Sequence, residues 1–355
     1  MFSSLPFVFL FFMVMFFGTM FSLSSTHWLG IWAGLEINLI GFLPILVYQK
    51  SMLESESAVK YFIIQALGSS FLVFGSLFSY SLTFSWESLT QNFTSLPMGS
   101  LVLSLGLLMK MGIFPFHFWF PGVMAGLSWL SCLLLATWQK VAPIFLMAMI
   151  LDAKLLYSLF LLLCFLSAGS SLIGGIGGMN QTQIRSLLAY SSIGHMGWIL
   201  YASCFSETSM KIYFSIYVLI SSCVFLSLWS LDSGNMKSLA SLGKSPSNGI
   251  FSFMIMLLSL GGLPPFLGFI SKWTVVSGSM GASPWGILFF IIIGSLMSLF
   301  YYLSLFFSEV LALKLNFVNS FGLSKWELGN YSALILLVNL IGGIFFILFL
   351  PMNFF

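Results

Sequence analysis

Hydrophobic residues in this chain fall in long unbroken runs, and short polar breaks separate them. Runs of this kind approach the ~20 residues a helix needs to cross ~30 Å of hydrocarbon. They predict an all-α polytopic membrane protein with about eleven transmembrane helices, at 5–23, 28–47, 58–80, 98–124, 126–150, 155–177, 184–204, 210–231, 249–280, 284–309 and 331–350. Polar loops at 48–57, 232–248 and 310–330 divide these spans.

Two spans are too long and carry an interruption. The fourth contains Lys110-Met-Gly-Ile-Phe-Pro115-Phe116, and the ninth contains Gly261-Gly-Leu-Pro-Pro265-Phe266. Proline removes a backbone donor and clashes with the preceding turn, so each helix should break in mid-membrane. Broken backbone is tolerated at that depth only beside protein or a wet cavity. The two breaks are alike and lie five helices apart, an odd offset that turns one against the other. The expected organisation is therefore two inverted five-helix repeats with broken helices 4 and 9. It gives a first unit at 1–150, a second at 155–309, and a loop with a C-terminal helix at 310–355. Paired interruptions in inverted halves point to a transport pathway.

Composition strengthens the membrane assignment: 59% of the 355 residues are hydrophobic and 6% are charged, against about 25% charged in soluble domains. The first apolar run has no basic or Arg-rich leader before it, so it is expected to be a retained helix. Lysine and arginine set the orientation. Lys50, Lys60, Arg185, Lys237, Lys244, Lys314 and Lys325 fall on the N-terminal side of the predicted spans, and Lys154 and Lys211 on the other. That bias puts the N-terminus inside and, with an odd number of helices, the C-terminus outside. The net charge of +3 makes no basic patch, so nucleic acid is not an expected partner. Cys132, Cys164, Cys204 and Cys223 are widely spaced without a C-x-x-C, which argues against a metal or cluster site and for inert thiols. The glycine cluster at 174–178 follows no strand, so it is not expected to hold a nucleotide.

A few titratable residues sit inside the apolar runs rather than at their ends: Glu36 in span 2, Lys110 at the first break, Lys140 in span 5 and Lys272 after the second break. Each costs about 2.5–3.5 kcal/mol at a helix centre on insertion scales, so a functional role is the first reading. Burial disfavours an ammonium and a nearby carboxylate favours it. Moving Glu36 toward or away from Lys110 would switch that lysine between holding and releasing a proton. Lys140, with no acidic residue close in sequence, could accept it through water. His195, beside Ser191 and Ser192, could relay protons near neutral pH or make a structural bond between helices. His117 near the first break reads the same way. Lys60, at the expected start of span 3, is either a pathway residue or a side chain snorkelling to the interface. His27, in a short loop, is expected to be solvated.

At these residues the chain resembles the antiporter-like membrane subunits of mitochondrial NADH:ubiquinone oxidoreductase (complex I). The resemblance is carried by 32–38 (Trp-Ala-Gly-Leu-Glu-Ile-Asn), 58–62, 110–121, 126–130, 137–143, 178–185, 189–198 and 260–266, in the family's order. It implies a shortened member of a fourteen-helix family that lacks the first three helices, located in the mitochondrial inner membrane with its N-terminus in the matrix and its C-terminus in the intermembrane space. It further implies Glu36 and Lys110 as the carboxylate–lysine pair, Lys140 as the central lysine and Lys272 as the residue of the second half-channel. Implied partners are the lipid bilayer and the other membrane-arm subunits, with NADH and ubiquinone acting only at other subunits and no cofactor in this chain. The family's proton translocation would be driven by electron transfer from NADH to ubiquinone. The alternatives are a stand-alone cation/proton antiporter subunit and a non-conducting membrane spacer. When the Pro-Phe motifs are superposed the lysines do not align, since Lys110 precedes its break and Lys272 comes after its own, so the half-channels are not simple copies.

Overall fold

A computed structural model of the chain describes residues 7–47, 51–83, 97–152, 157–231, 248–280, 285–319, 339–340 and 342–343. Every regular element among them is helical: α1 Val8–Ser24, α2 Trp28–Leu46, α3 Met52–Thr83, α4 Pro97–Met111, α5 Trp119–Gly126, α6 Trp129–Ala136, α7 Trp138–Asp152, α8 Tyr157–Met179, α9 Ile184–Phe205, α10 Glu207–Leu231, α11 Asn248–Gly261, α12 Leu267–Ser279 and α13 Trp285–Asn319. Among the described residues, six stretches are long and apolar enough to cross a membrane: Trp28–Leu46, Met52–Phe78, Trp129–Leu151, Tyr157–Met179, Glu207–Ser230 and Trp285–Ser308. Shorter apolar helices at Val8–Ser24, Met98–Met111 and Ser252–Gly261 accompany them. The chain forms two compact units, Met1–Ser167 and Ala168–Phe355.

In the first unit α3 packs against α2, α4 and α5, while α7 packs against α1, α4 and α6. The α1–α2 contact is backbone against backbone. A Cβ added to Gly18 would lie 2.5 Å from the Asn38 nitrogen, and one added to Gly34 would lie 2.6 Å from the Ser22 nitrogen. Without water to drive association, close approach through small residues is how apolar helices gain contact. In the second unit α10 packs on α9, α11 and α12, and α13 packs on α9 and α11.

Both expected breaks are present, and they are built alike. After α4, Gly112 takes a positive φ of 71°, and after α11, Gly262 takes 79°. The amide of Ile113 bonds the Leu108 carbonyl at 3.2 Å and that of Gly112 bonds Met109 at 3.3 Å. Leu263 bonds Leu258 at 3.4 Å and Gly262 bonds Ser259 at 3.0 Å. Each pair is a Schellman C-cap, which needs a left-handed residue at its turn and so favours glycine. The chain then turns through Pro115 or Pro265 and resumes as α5 or α12.

Other boundaries differ from those expected. Residues 52–57, read as loop, are the first turns of α3. The Ser51 hydroxyl accepts the Glu54 amide at 3.2 Å, an N-cap that makes a polar run helical. Lys60 is therefore two turns into α3 rather than at its start. Residues 310–319, also read as loop, continue α13. Span 5 is divided at Thr137, whose backbone leaves helical geometry (φ −114°, ψ −70°) between α6 and α7. Most of the expected span 331–350, most of the loop 232–248, and Lys50, Lys154, Lys237, Lys244 and Lys325 lie outside the described residues.

Candidate functional site

The first break brings a carboxylate to a lysine. Glu36 projects from the middle of α2, and Lys110 occupies the last turn of α4. Their Oε1 and Nζ atoms are 4.0 Å apart, the lysine side chain 3% exposed and the glutamate 27%. At the limit of an ion pair, this contact is loose enough for a small movement to make or break it. A cation in a helix's last turn is also favoured by the macrodipole. The Lys110 carbonyl, one of the orphan acceptors of that helix end, receives the Gln65 amide from α3 at 3.4 Å.

Lys140 is different. It lies in the first turn of α7 and is among the largest fully buried side chains. Its Nζ stands 4.3 Å from the centroid of Phe120 and has no hydrogen-bond partner among the described residues. A cation over a ring face is attracted to it, but a buried ammonium without an acceptor is costly. Its neighbour Gln139 pairs head to head with Asn38, donating to Oδ1 at 3.2 Å and accepting from Nδ2 at 2.9 Å. The Tyr61 hydroxyl donates to the same Gln139 oxygen at 3.3 Å.

In the second unit Lys272 sits on α12, and its ammonium reaches back over the break to donate to the Gly261 carbonyl at 2.7 Å. The misalignment in sequence is thereby resolved in part: the lysine after the break still delivers its charge to the helix end before it. Gly262 makes room, since a Cβ there would lie 2.8 Å from the Lys272 Nζ. His195 on α9 contacts the Tyr213 hydroxyl through Nδ1 at 2.9 Å, and its ring lies 5.3 Å from that of Tyr217. Tyr213 also faces Ser271, the residue beside Lys272. A cavity of about 10 Å³, lined by His195, Lys272, Trp198, Ser191, Ser298 and neighbours, lies between the two basic groups. That is about the space one water needs, and polar groups surround it.

His117 is buried in the turn between α4 and α5, with its ring 4.0 Å from Phe118. Lys60 is apart from the buried cluster, paired with Glu56 at 2.6 Å on an exposed face of α3. His27 precedes α2 and is exposed. Among the described residues no group of three or more His, Cys, Asp or Glu side chains could hold a metal ion. Cys132 and Cys164 are buried, and Cys204 and Cys223 are half-buried. The residues missed from sequence are neutral: Asn38, Tyr61, Gln65, Gln139 and Tyr213. Asn38, Gln65 and Gln139 do carry a signal, because an amide inside an apolar helix needs a partner. Tyrosine carries none, being as compatible with lipid edges as with a core.

Residues 25–298 match the family described as NADH:quinone oxidoreductase/Mrp antiporter, transmembrane. The chain is 39% identical over 293 residues to NADH-ubiquinone oxidoreductase chain 2 of Lumbricus terrestris, covering 82% of this chain and 83% of that one. It is 40% identical over 324 residues to the chain 2 protein of Anopheles gambiae, covering 90% and 89%. Its fold is similar to a chain of respiratory complex I from Thermus thermophilus, solved with bound aureothin, with a TM-score of 0.79 at 24% identity over 98% of this chain and 78% of that one. With a family match over most of its length and relatives near 40% identity, the chain belongs to the NADH:quinone oxidoreductase/Mrp antiporter transmembrane family, among the NADH-ubiquinone oxidoreductase chain 2 proteins.

Proposed function

We propose that this chain moves protons across the mitochondrial inner membrane as a membrane-arm subunit of NADH:ubiquinone oxidoreductase, through Glu36, Lys110, Lys140 and Lys272. The chain is an antiporter-like proton-translocation subunit of complex I; the residue path is the proposal. The observation that carries it is the contrast among buried amines. Lys110 has a carboxylate at 4.0 Å, Lys272 has a carbonyl at 2.7 Å, and Lys140 has no hydrogen-bond acceptor among the described residues. When Glu36 leaves Lys110, the Lys110 proton loses its main counter-charge and passes through water to Lys140. Lys140 holds it briefly because its charge faces the Phe120 ring and, among the described residues, no hydrogen-bond acceptor. His195 and Tyr213 connect toward Lys272 within the second unit through the small cavity. Lys60 is left out of the path, since Glu56 already pairs with it on an exposed face. His117 is a structural group of the first break.

In this reading the chain has about eleven spans in two inverted five-helix repeats, 1–150 and 155–309, with 310–355 as an appended segment. The matching Schellman turns at Gly112 and Gly262 support that symmetry. The N-terminus faces the matrix, the other membrane-arm subunits are the protein partners, and the redox groups belong to other subunits. One observation favours a structural part for Lys272: its bond to Gly261 caps a helix end.

The test is Lys140→Ala in reconstituted complex, with assembly checked by native gel and protons counted per electron pair. An assembled complex with a lowered proton yield is expected. Normal assembly with normal yield would remove Lys140 from the path and leave the chain as a spacer.

A further inference from the structure

Three residues on one face of α3 reach the two lysine-bearing segments of the first unit. Tyr61, Gln65 and Gly68 are spaced four and three apart, so they line one stripe of the helix. Gln65 donates to the backbone carbonyl of Lys110 at 3.4 Å. Gly68 leaves the space that the Lys110 stem fills: a Cβ there would lie 3.1 Å from Lys110 Cγ. Tyr61 packs edge-on to Phe42 of α2 with centroids 5.4 Å apart and lies 5.8 Å from Trp119 of α5. Its hydroxyl ends on Gln139 of α7, next to Lys140. That oxygen also receives Asn38 from α2, two residues after Glu36.

We propose that this α3 stripe, together with the Asn38–Gln139 amide pair, is the positioning element of the first half of the path, setting where Lys110 and Lys140 stand relative to Glu36. The inference rests on the proton-carrying reading above. Amides do not titrate at physiological pH, so Asn38, Gln65 and Gln139 carry no proton themselves; they hold the groups that do. Within the cluster the Gln139 oxygen uses both lone pairs, its amide donates to Asn38, and Tyr61 spends its one donor there. Satisfied buried networks fix a single arrangement. A gate that works by an ångström-scale change at a 4.0 Å contact needs its surroundings held to better than that. The stripe holds both ends: the Lys110 backbone and stem on one side, the α2–α7 junction on the other. Tyr61, Gln65, Asn38 and Gln139 are positioning residues, acting through Glu36, Lys110 and Lys140.

The experiment uses the assembled complex with Tyr61→Phe or Gln65→Met in this chain, Tyr61→Phe keeping the ring and losing only the hydroxyl. Proton yield per electron pair is measured across a pH series, with assembly followed by native gel. The expected result is normal assembly with a displaced pH profile and a pumping rate lowered about two- to tenfold, the size of one neutral buried hydrogen bond. Both variants assembling with the parental yield and pH profile would overturn the proposal. If neither assembles, Gln139→Asn is compared with the swap Asn38→Gln plus Gln139→Asn, which restores the length of the amide pair. Recovery of proton yield in the swap supports the clamp, and a swap no better than the single variant overturns it. Lys140→Ala run in parallel separates the two levels. Normal pumping there sinks the proton path itself, whereas impaired pumping there with unaffected stripe variants sinks only the positioning role.

Discussion

The buried amines differ in what faces them. Lys110 sits in the last turn of α4 and Lys272 reaches from the middle of α12 back to the end of α11, so both place a cation where unpaired carbonyls favour one, and each has an oxygen to approach. Lys140 sits at the start of α7, where the macrodipole opposes positive charge, and among the described residues its ammonium faces the Phe120 ring and no hydrogen-bond acceptor. A site of that kind suits transient occupancy. Arginine there should fail where another amine could succeed, because a guanidinium does not release its proton in a protein and brings five donors to a place with no acceptor. Lys140→Arg is therefore expected to lower proton yield as far as Lys140→Ala does; pumping by the assembled arginine variant at the parental rate would exclude proton exchange at this position. The charged residues were legible in the sequence because charge in hydrocarbon is costly whatever its surroundings. Tyr61 and Gln139 were not, because their importance lies in the partner each reaches across the fold.

Among the elements, the two Schellman turns decide where the helices stop. Glycine and proline announced both in the sequence, since left-handed backbone and a missing donor are local properties. The return of Lys272 to Gly261 had no such local signal, because it is a tertiary contact made across the second turn. The start of α3 was misjudged for the opposite reason, polar side chains being read as loop where the Ser51 cap keeps them helical, and α13 runs on through 310–319. The turns also make an asymmetric prediction. Alanine at Gly112 meets the Trp119 ring at 3.3 Å, while alanine at Gly262 meets the Lys272 ammonium at 2.8 Å. Both carry the strain of a left-handed residue, about 1–3 kcal/mol. Only the second also displaces the amine proposed for the path. Thermal denaturation of the assembled complexes should show a similar loss for both, and proton yield should fall further in Gly262→Ala. Equal proton yields would argue that Lys272 is not held for transport.

Across the whole molecule, each compact unit contains one broken helix and one buried lysine associated with that break, Lys110 in the first and Lys272 in the second. Two such sites could act as independent routes or as consecutive steps of one route, and the arithmetic of combined variants separates the cases. Groups acting as one machine lose their function together, so removing a second member adds little. Independent routes would instead lose their contributions additively. A single route through Lys110, Lys140 and Lys272 predicts that Glu36→Gln and Lys272→Met each depress proton yield and that the double variant is no worse than the poorer single one. Proton counting per electron pair on the three assembled complexes is the measurement. If the double variant loses the sum of the two single losses, the units conduct separately and the series path is wrong. If Lys272→Met alone leaves the yield intact, its bond to Gly261 is a helix cap and the route leaves the chain without it.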